Sequence, residues 1–244
     1  DVGPDGRGKA LPNLVSMAEG EKIAALLAVR EWEPDKFVFM GTRKGVVKKT
    51  ELTAFQNPRA GGIIAMGVDD GDAVIAVQMT DGPSQVFLGT HAGMAIRFPE
   101  TDVRPMGRTA YGVRGITLRD DDRVVAMEVI PVASDATVMT VCENGFGKRT
   151  PLDEYRVQSR GGVGIISIQT TDRNGRVVGI ACVRDEDELL LITQQGKVLR
   201  MPTSGIRAIG RATQGVRLIE IEPEDRVVSV ARLAEQEDDN PLAE

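Results

Sequence analysis

The residues of this chain that are equipped to do chemistry are lysines and arginines that return at matching places along it. Residues 43–59 carry Arg43, Lys44, Lys48, Lys49 and Arg59 against Glu51 alone. Residues 97–114 carry Arg97, Arg104, Arg108 and Arg114 against Glu100 and Asp102. Residues 148–160 carry Lys148, Arg149, Arg156 and Arg160 against Asp153 and Glu154. Residues 197–217 carry Lys197, Arg200, Arg207, Arg211 and Arg217 with no acid. The surpluses are four, two, two and five bases, thirteen in all, in a chain whose formal net charge is −6. Acids gather elsewhere, at Asp69, Asp70 and Asp72, at Asp120, Asp121 and Asp122, and at Glu220, Glu222, Glu224 and Asp225. Bases repeated at one place in every unit of a ring form a curved positive band, and such a band neutralises a bent polyanion.

The elements that must position these bases are themselves repeated. Residues 36–55 (KFVFMGTRKGVVKKTELTAF) show an apolar run, a Gly-bearing turn, a second apolar and basic run, and a polar turn closed by a hydrophobic residue. The layout returns at residues 85–103, 137–155 and 188–206. The turn glycines Gly45, Gly93, Gly145 and Gly196 lie 48, 52 and 51 residues apart. Gly62, Gly115, Gly164 and Gly215, each opening an aliphatic run, lie 53, 49 and 51 apart. A period of about fifty residues is that of a propeller blade. Val, Ile and Leu fill the runs and Gly, Asn, Asp or Pro separates them, so each unit reads as four short strands. Asn144-Gly145 marks a hairpin turn. The fold expected is all-β. It is a single toroidal domain over residues 1–233: the tail of a blade at 1–21, units at 22–72, 73–123, 124–176 and 177–226, and a closing strand at 227–233. An acidic segment follows at 234–244, bearing Glu235, Glu237, Asp238, Asp239 and Glu244. The partial unit at the start is expected to mean that the chain begins inside a larger protein. In a third-strand pair such as Lys48-Lys49 or Lys148-Arg149, adjacent side chains point to opposite faces, so one of each pair is expected to reach outward.

Other chemistries find little support. His91 lies in a hairpin turn, where an exposed side chain is expected. Cys142 and Cys182 sit in apolar runs without zinc spacing, and they are too few for a disulfide framework, which fits a reducing, cytoplasmic setting. Tyr111 and Tyr155 are not set among the arginines and metal-binding acids that strand cleavage needs. No glycine-rich phosphate loop opens a helix, and no apolar run approaches membrane-spanning length. Neither a catalytic residue, a metal nor a cofactor is expected, and no membrane. Duplex DNA carries one negative charge per roughly 1.7 Å of axis and fits the band. Bending 20–30 base pairs by 40–90° costs of order 1–6 kcal/mol. Several phosphate contacts change affinity by about 10³–10⁵ across moderate salt. Binding is therefore expected to be salt-sensitive and weakly sequence-selective.

Several motifs carry a family resemblance: GVVKKT (45–50), RPMGR (104–108), GVRGI (112–116), NGFGKRT (144–150) and IGRATQGV (209–216). The chain resembles the C-terminal domains of DNA gyrase A subunits. The resemblance implies a β-pinwheel, a propeller-like ring whose blades exchange strands, lacking here its first blade. It implies wrapping of duplex DNA around the outer rim, which sets the direction of supercoiling. It also implies two partners in an ATP-dependent type II topoisomerase, the remainder of the gyrase A subunit, and the gyrase B subunit. The family's signature box, Gln-Arg-Arg-Gly-Gly-Lys-Gly, belongs to the first blade, and Gln158-Ser159-Arg160-Gly161-Gly162-Val163-Gly164 resembles the second box that some members carry in a later blade. Ser159 and Val163 stand where the box has bases, leaving Arg160 as the charge and the Gly161 and Gly162 N–H groups as phosphate donors. Two rival readings are the matching domain of topoisomerase IV, which binds DNA crossings, and a propeller for protein contacts. Aromatics make up 4% of the chain, a thin supply for the second.

Overall fold

The computed structural model describes Met17, residues 20–59 and residues 61–233. The segment 1–16 and the acidic segment 234–244 lie outside the described residues. The strands in chain order begin with β1 (Phe37–Thr42), β2 (Val46–Glu51), β3 (Val74–Thr80), β4 (Ser84–Thr90), β5 (Met94–Pro99) and β6 (Val113–Arg114). They continue with β7 (Val124–Pro131), β8 (Thr137–Cys142), β9 (Phe146–Pro151), β10 (Ile165–Ile166) and β11 (Val177–Val183). The last are β12 (Glu188–Thr193), β13 (Val198–Pro202), β14 (Val216–Arg217) and β15 (Val227–Leu233). All pair antiparallel in four sheets: β3-β1-β2-β6, β7-β4-β5-β10, β11-β8-β9-β14 and β15-β12-β13.

Each sheet is a blade, and no blade is built from one repeating unit. The hairpins β1–β2, β4–β5 and β8–β9 take both their inner and their outer strands from the unit that follows. The inner strands β3, β7, β11 and β15 pack against one another in sequence around the axis. This is the strand exchange of a β-pinwheel. It corrects one expectation, four strands within residues 22–72: residues 22–29 and 61–68 form no strand. In the other units the corresponding segments pair with the hairpin of the preceding unit, and the described residues contain no such hairpin.

The apolar cores lie between blades. Along β1, Phe39 enters a cluster with Val47, Val86 and Leu88, while Val38 and Met40 face a cluster on the other side. Along β8, Val138 packs with Phe87 and Ile180, while Met139 and Val141 pack with Leu189 and Leu191. A blade flanked on both sides has two buried faces, which is why these strands read as continuous aliphatic runs. Tyr155 anchors its loop, edge-on to Phe87 at 5.0 Å, with its hydroxyl 2.9 Å from Ser167 Oγ. Both cysteines are free and buried, and burial pushes the Cys142 thiol up to about 12.

Turn glycines let neighbouring units approach. Gly45 has φ 84°, and a Cβ there would stand 2.7 Å from Ile116 Cγ2 and 3.1 Å from Ile116 O. The Gly45 carbonyl accepts the N–H groups of Gly115 and Ile116. Gly45→Ala is expected to destabilise the fold by about 2 kcal/mol or more, from left-handed strain and displacement of Ile116. At Gly205, where a Cβ meets nothing within 4 Å, the same change is expected to stay within about 0.5 kcal/mol. Urea unfolding of the two variants at constant slope measures the contrast.

Candidate nucleic-acid interface

The registers divide the ring into two ends. The hairpin turns at 43–45, 91–93, 143–145 and 194–196 lie at one end, beside the turns that lead into β3, β7, β11 and β15, of which the first, second and fourth are rich in acids. Four short 3-10 turns lie at the other: Leu52–Phe55, Glu100–Asp102, Leu152–Glu154 and Thr203–Gly205. From the last three, the chain runs outward over the exposed edge of the preceding blade. Parallel bridges join Lys49 to Pro105, Arg97 to Val157 and Arg149 to Ala208. Met106, Gln158 and Ile209 each donate an N–H to the third strand of that blade, all at 2.9 Å. The loops 104–112, 156–164 and 207–215 thus form the outer rim.

The repeated bases fall into three environments rather than one band. The first is the seam between blades. Lys49, Arg97, Arg149 and Arg200 share one register, and the first three reach the 3-10 turn of the next blade. Lys49 Nζ bonds Glu100 Oε1 at 2.6 Å, with Thr80 donating to the other carboxylate oxygen. Arg97 donates to Leu152 O at 2.6 Å, and Arg149 to Thr203 O at 3.0 Å and to Asp185. Lys48 and Lys148 are 0% exposed, and Lys49 and Arg149 are 8% and 6%. The expectation that one member of each pair reaches outward is therefore corrected for Lys48, Lys49, Lys148 and Arg149. The next unit arrives over this register, and its carbonyl and carboxylate oxygens accept the charged donors. Arg97, half-buried, is committed in the same way. Arg200 remains exposed and pairs with Glu188 of its own blade.

The second environment is the hairpin end. Lys44 Nζ donates to Asp70 O at 2.8 Å, Arg43 to Gly71 O at 3.2 Å and Lys197 to Glu220 O at 2.8 Å. These three lie among the acidic turns, at the end away from the rim loops. Here too sits His91, half-buried rather than exposed, with Nε2 3.5 Å from Glu143. Its pKa is lowered, first by burial and then by Arg123. Sequence reading placed the last acid of three of these turns in an acidic cluster and missed its role. Asp72, Asp122 and Asp225 accept the N–H groups of Lys44, Ala92 and Gln195, each closing the hairpin of the blade that the following inner strand joins. An Asp directly before the residue that leads into an inner strand was the available signal.

The third environment is the rim. Arg104, Arg156 and Arg207 occupy equivalent places in three successive loops, are exposed, and are engaged by no ion pair or side-chain hydrogen bond among the described residues. Next to them Arg108, Arg160 and Arg211 are half-buried. Their guanidiniums donate to Ile64 O at 3.0 Å, Arg114 O at 3.1 Å and Ile166 O at 2.8 Å. Arg59 and Arg114 are exposed. The box-like loop 158–164 is the rim of the second blade, but its backbone is partly spent. Gly161 N–H donates to Gly115 O at 2.7 Å, and Arg160 N–H to Asp102 Oδ2 at 3.3 Å. Gly161 is therefore not free to hold a phosphate, a second correction. Gly164 is there for packing, since a Cβ would lie 2.3 Å from Ala95 O.

A four-bladed strand-exchanged ring with a basic rim defines a class, the β-pinwheels. The family profile described as DNA gyrase C-terminal domain, beta-propeller, matches residues 36–81, 84–131, 136–184 and 187–234, and this chain belongs to that family. The A subunit of DNA gyrase from Salmonella typhimurium is 48% identical over 236 residues, covering 97% of this chain and 27% of the relative. Its counterpart from Chlamydia pneumoniae is 43% identical over 239 residues, 97% of this chain and 28% of the relative. This chain thus spans about a quarter of those relatives. Among solved structures, the C-terminal domain of a DNA topoisomerase IV superposes with TM-score 0.87 at 27% identity, over 93% of this chain and 71% of that one. A DNA gyrase A C-terminal domain gives 0.83 at 25%, over 92% and 74%.

The three environments respond differently to truncation. Glu100→Gln leaves the Lys49 ammonium buried without its anion and is expected to cost about 3 kcal/mol. Alanine at Arg104, Arg156 or Arg207 is expected to change stability by no more than about 0.5 kcal/mol each. Denaturant midpoints of the four variants test this ordering.

Proposed function

We propose that this domain binds duplex DNA along the rim loops and bends it around the ring, so that a gyrase to which it belongs introduces supercoils of one hand. The observation that carries this reading is the recurrence of Arg104, Arg156 and Arg207, one per loop, exposed and unengaged. An arginine held at the surface of a packed protein without a partner is a donor waiting for an anion. Three of them on a curved edge match a curved polyanion. Arg108, Arg160 and Arg211 add a second row of charge and stiffen the track. Arg59 and Arg114 extend it.

Bending the duplex through such an arc costs a few kcal/mol. Each neutralised phosphate contributes a slope of about −0.9 in the dependence of log affinity on log salt. At moderate ionic strength the electrostatic gain exceeds the bending cost, and at high salt it does not. Strand cleavage and ATP hydrolysis belong to other parts of the enzyme, the rest of the gyrase A subunit together with the gyrase B subunit, working in the cytoplasm. The close superposition on a topoisomerase IV domain supports a second reading, in which the same rim grips DNA crossings without wrapping.

The salt slope of duplex binding is expected to fall by about one for each of Arg104, Arg156 and Arg207 replaced by Ala. Replacing Arg43, Lys44 and Lys197 is expected to leave it unchanged. Equal losses in the two sets would refute the rim as the track. Incubation with relaxed circular DNA and a strand-passing relaxer is expected to shift the linking number in one direction. Binding without such a shift would favour the crossing reading.

A further inference from the structure

Two of the blades hide an ammonium group directly beneath their rim loops. At the register of Lys48 and Lys148, the other two blades carry Ile96 and Leu199. Lys48 Nζ donates to Ala65 O at 2.7 Å and to Arg108 O. Lys148 Nζ donates to Gly210 O at 2.8 Å and to Arg211 O, with Thr213 Oγ1 at 3.3 Å. Among the described residues no carboxylate bonds either amine. The charged or titratable groups around them are Arg108 for Lys48, and Arg211, Cys142 and Glu154 for Lys148. One carbonyl that each amine grips belongs to Arg108 or Arg211, residues whose guanidiniums lie on the rim. The second blade dispenses with an amine: Ile96 packs under Gly162, and Asp102 holds Arg160.

We propose that Lys48 and Lys148 are positioning residues of the DNA rim: their protonated amines pin residues 108 and 211 from beneath, and a duplex on the rim binds more tightly when both amines are charged. The proposal rests on the reading of the rim as the DNA track. Charge-assisted bonds to carbonyls are roughly twice as strong as neutral ones, and phosphates brought to the loop add attraction for a cation lying just below it.

Burial, and then the neighbouring Arg108 or Arg211, lowers both amines to about 8. These groups therefore titrate within reach of ordinary buffers. Arriving phosphates favour the charged form, so the contribution to affinity is fully present below about pH 8 and is lost as pH rises through it. Fold stability runs the other way. The unfolded chain, with lysines near 10.4, binds more protons than the native state between about pH 8 and pH 10, so these groups make stability rise with pH there. A purely structural role thus predicts rising stability with no loss of DNA affinity. His91 is pushed below its ordinary value, and Cys142 and Tyr155 above theirs.

The test is duplex binding by the full chain at fixed salt, with calorimetry near pH 8 in two buffers of different ionisation enthalpy. Proton uptake on binding and an affinity that falls about fivefold between about pH 7 and pH 9 are expected. Lys48→Arg with Lys148→Arg should keep the affinity and flatten the profile. Lys48→Met with Lys148→Met should bind at pH 7 as weakly as the parent does at pH 9. If the Met variant does not fold, proton uptake by the parent chain decides. No uptake, or an unchanged slope in the Arg variant, overturns the role of the lysines. If Arg104→Ala, Arg156→Ala and Arg207→Ala still weaken binding while uptake is absent, only the lysine role falls. Absence of any duplex binding at low salt overturns the rim reading and this proposal with it.

Discussion

In three of the four blades the outer edge of the third strand is covered by the unit that follows, and the rest of the molecule answers to that constraint. An uncovered edge presents unpaired N–H and C=O groups. In the first three blades, a two-residue strand and the loop before it satisfy them from about sixty residues downstream. The same arrival buries whatever the third strand displays at its middle register. Lys49, Arg97 and Arg149 consequently serve the join between blades rather than the solvent. Their charges are tolerated there because the next 3-10 turn aligns its oxygens at that point. Rim and seam are products of a single step of assembly.

The acidic total of the chain is compatible with a basic working surface because the rim loops 104–112, 156–164 and 207–215 carry arginines and no acid. Inter-repeat turns carry the acids, and several of those carboxylates are occupied with backbone N–H groups of the neighbouring hairpin. The bases among them, Lys44 and Lys197, donate to carbonyls of the same turns. The rim loop 207–215 contains no acid. A duplex responds to the potential along its path, and the sum over the whole surface says little about that.

The periodicity, the all-β class and the hairpins were legible in the sequence, because they follow from glycine spacing and aliphatic runs that any window of fifty residues displays. The fate of individual bases was not, since exposure at Lys48 is decided by residues 65 and 108, which a local pattern does not connect to it. One signal was present all the same. The register that holds lysine in two units holds Ile96 and Leu199 in the others, and a position that alternates with aliphatics belongs to the interior. Recurrence alone could not separate Arg104, Arg156 and Arg207 from the buried set. Nor could the Gly-rich stretch 158–164 reveal that Gly161 already has an acceptor in Gly115.

Strand exchange also fixes the quantum by which such a ring can grow. A segment one period long carries one hairpin, the inner strand of that hairpin and the outer strand of the blade before it, so its own hairpin takes its cover from the unit that follows. The family profile matches in units of this kind, opening at residues 36, 84, 136 and 187. Each inserted unit would add one loop, with its pair of arginines, to the perimeter. The length of polyanion accommodated would therefore change in whole steps, and the ring's circumference and its charge would rise together.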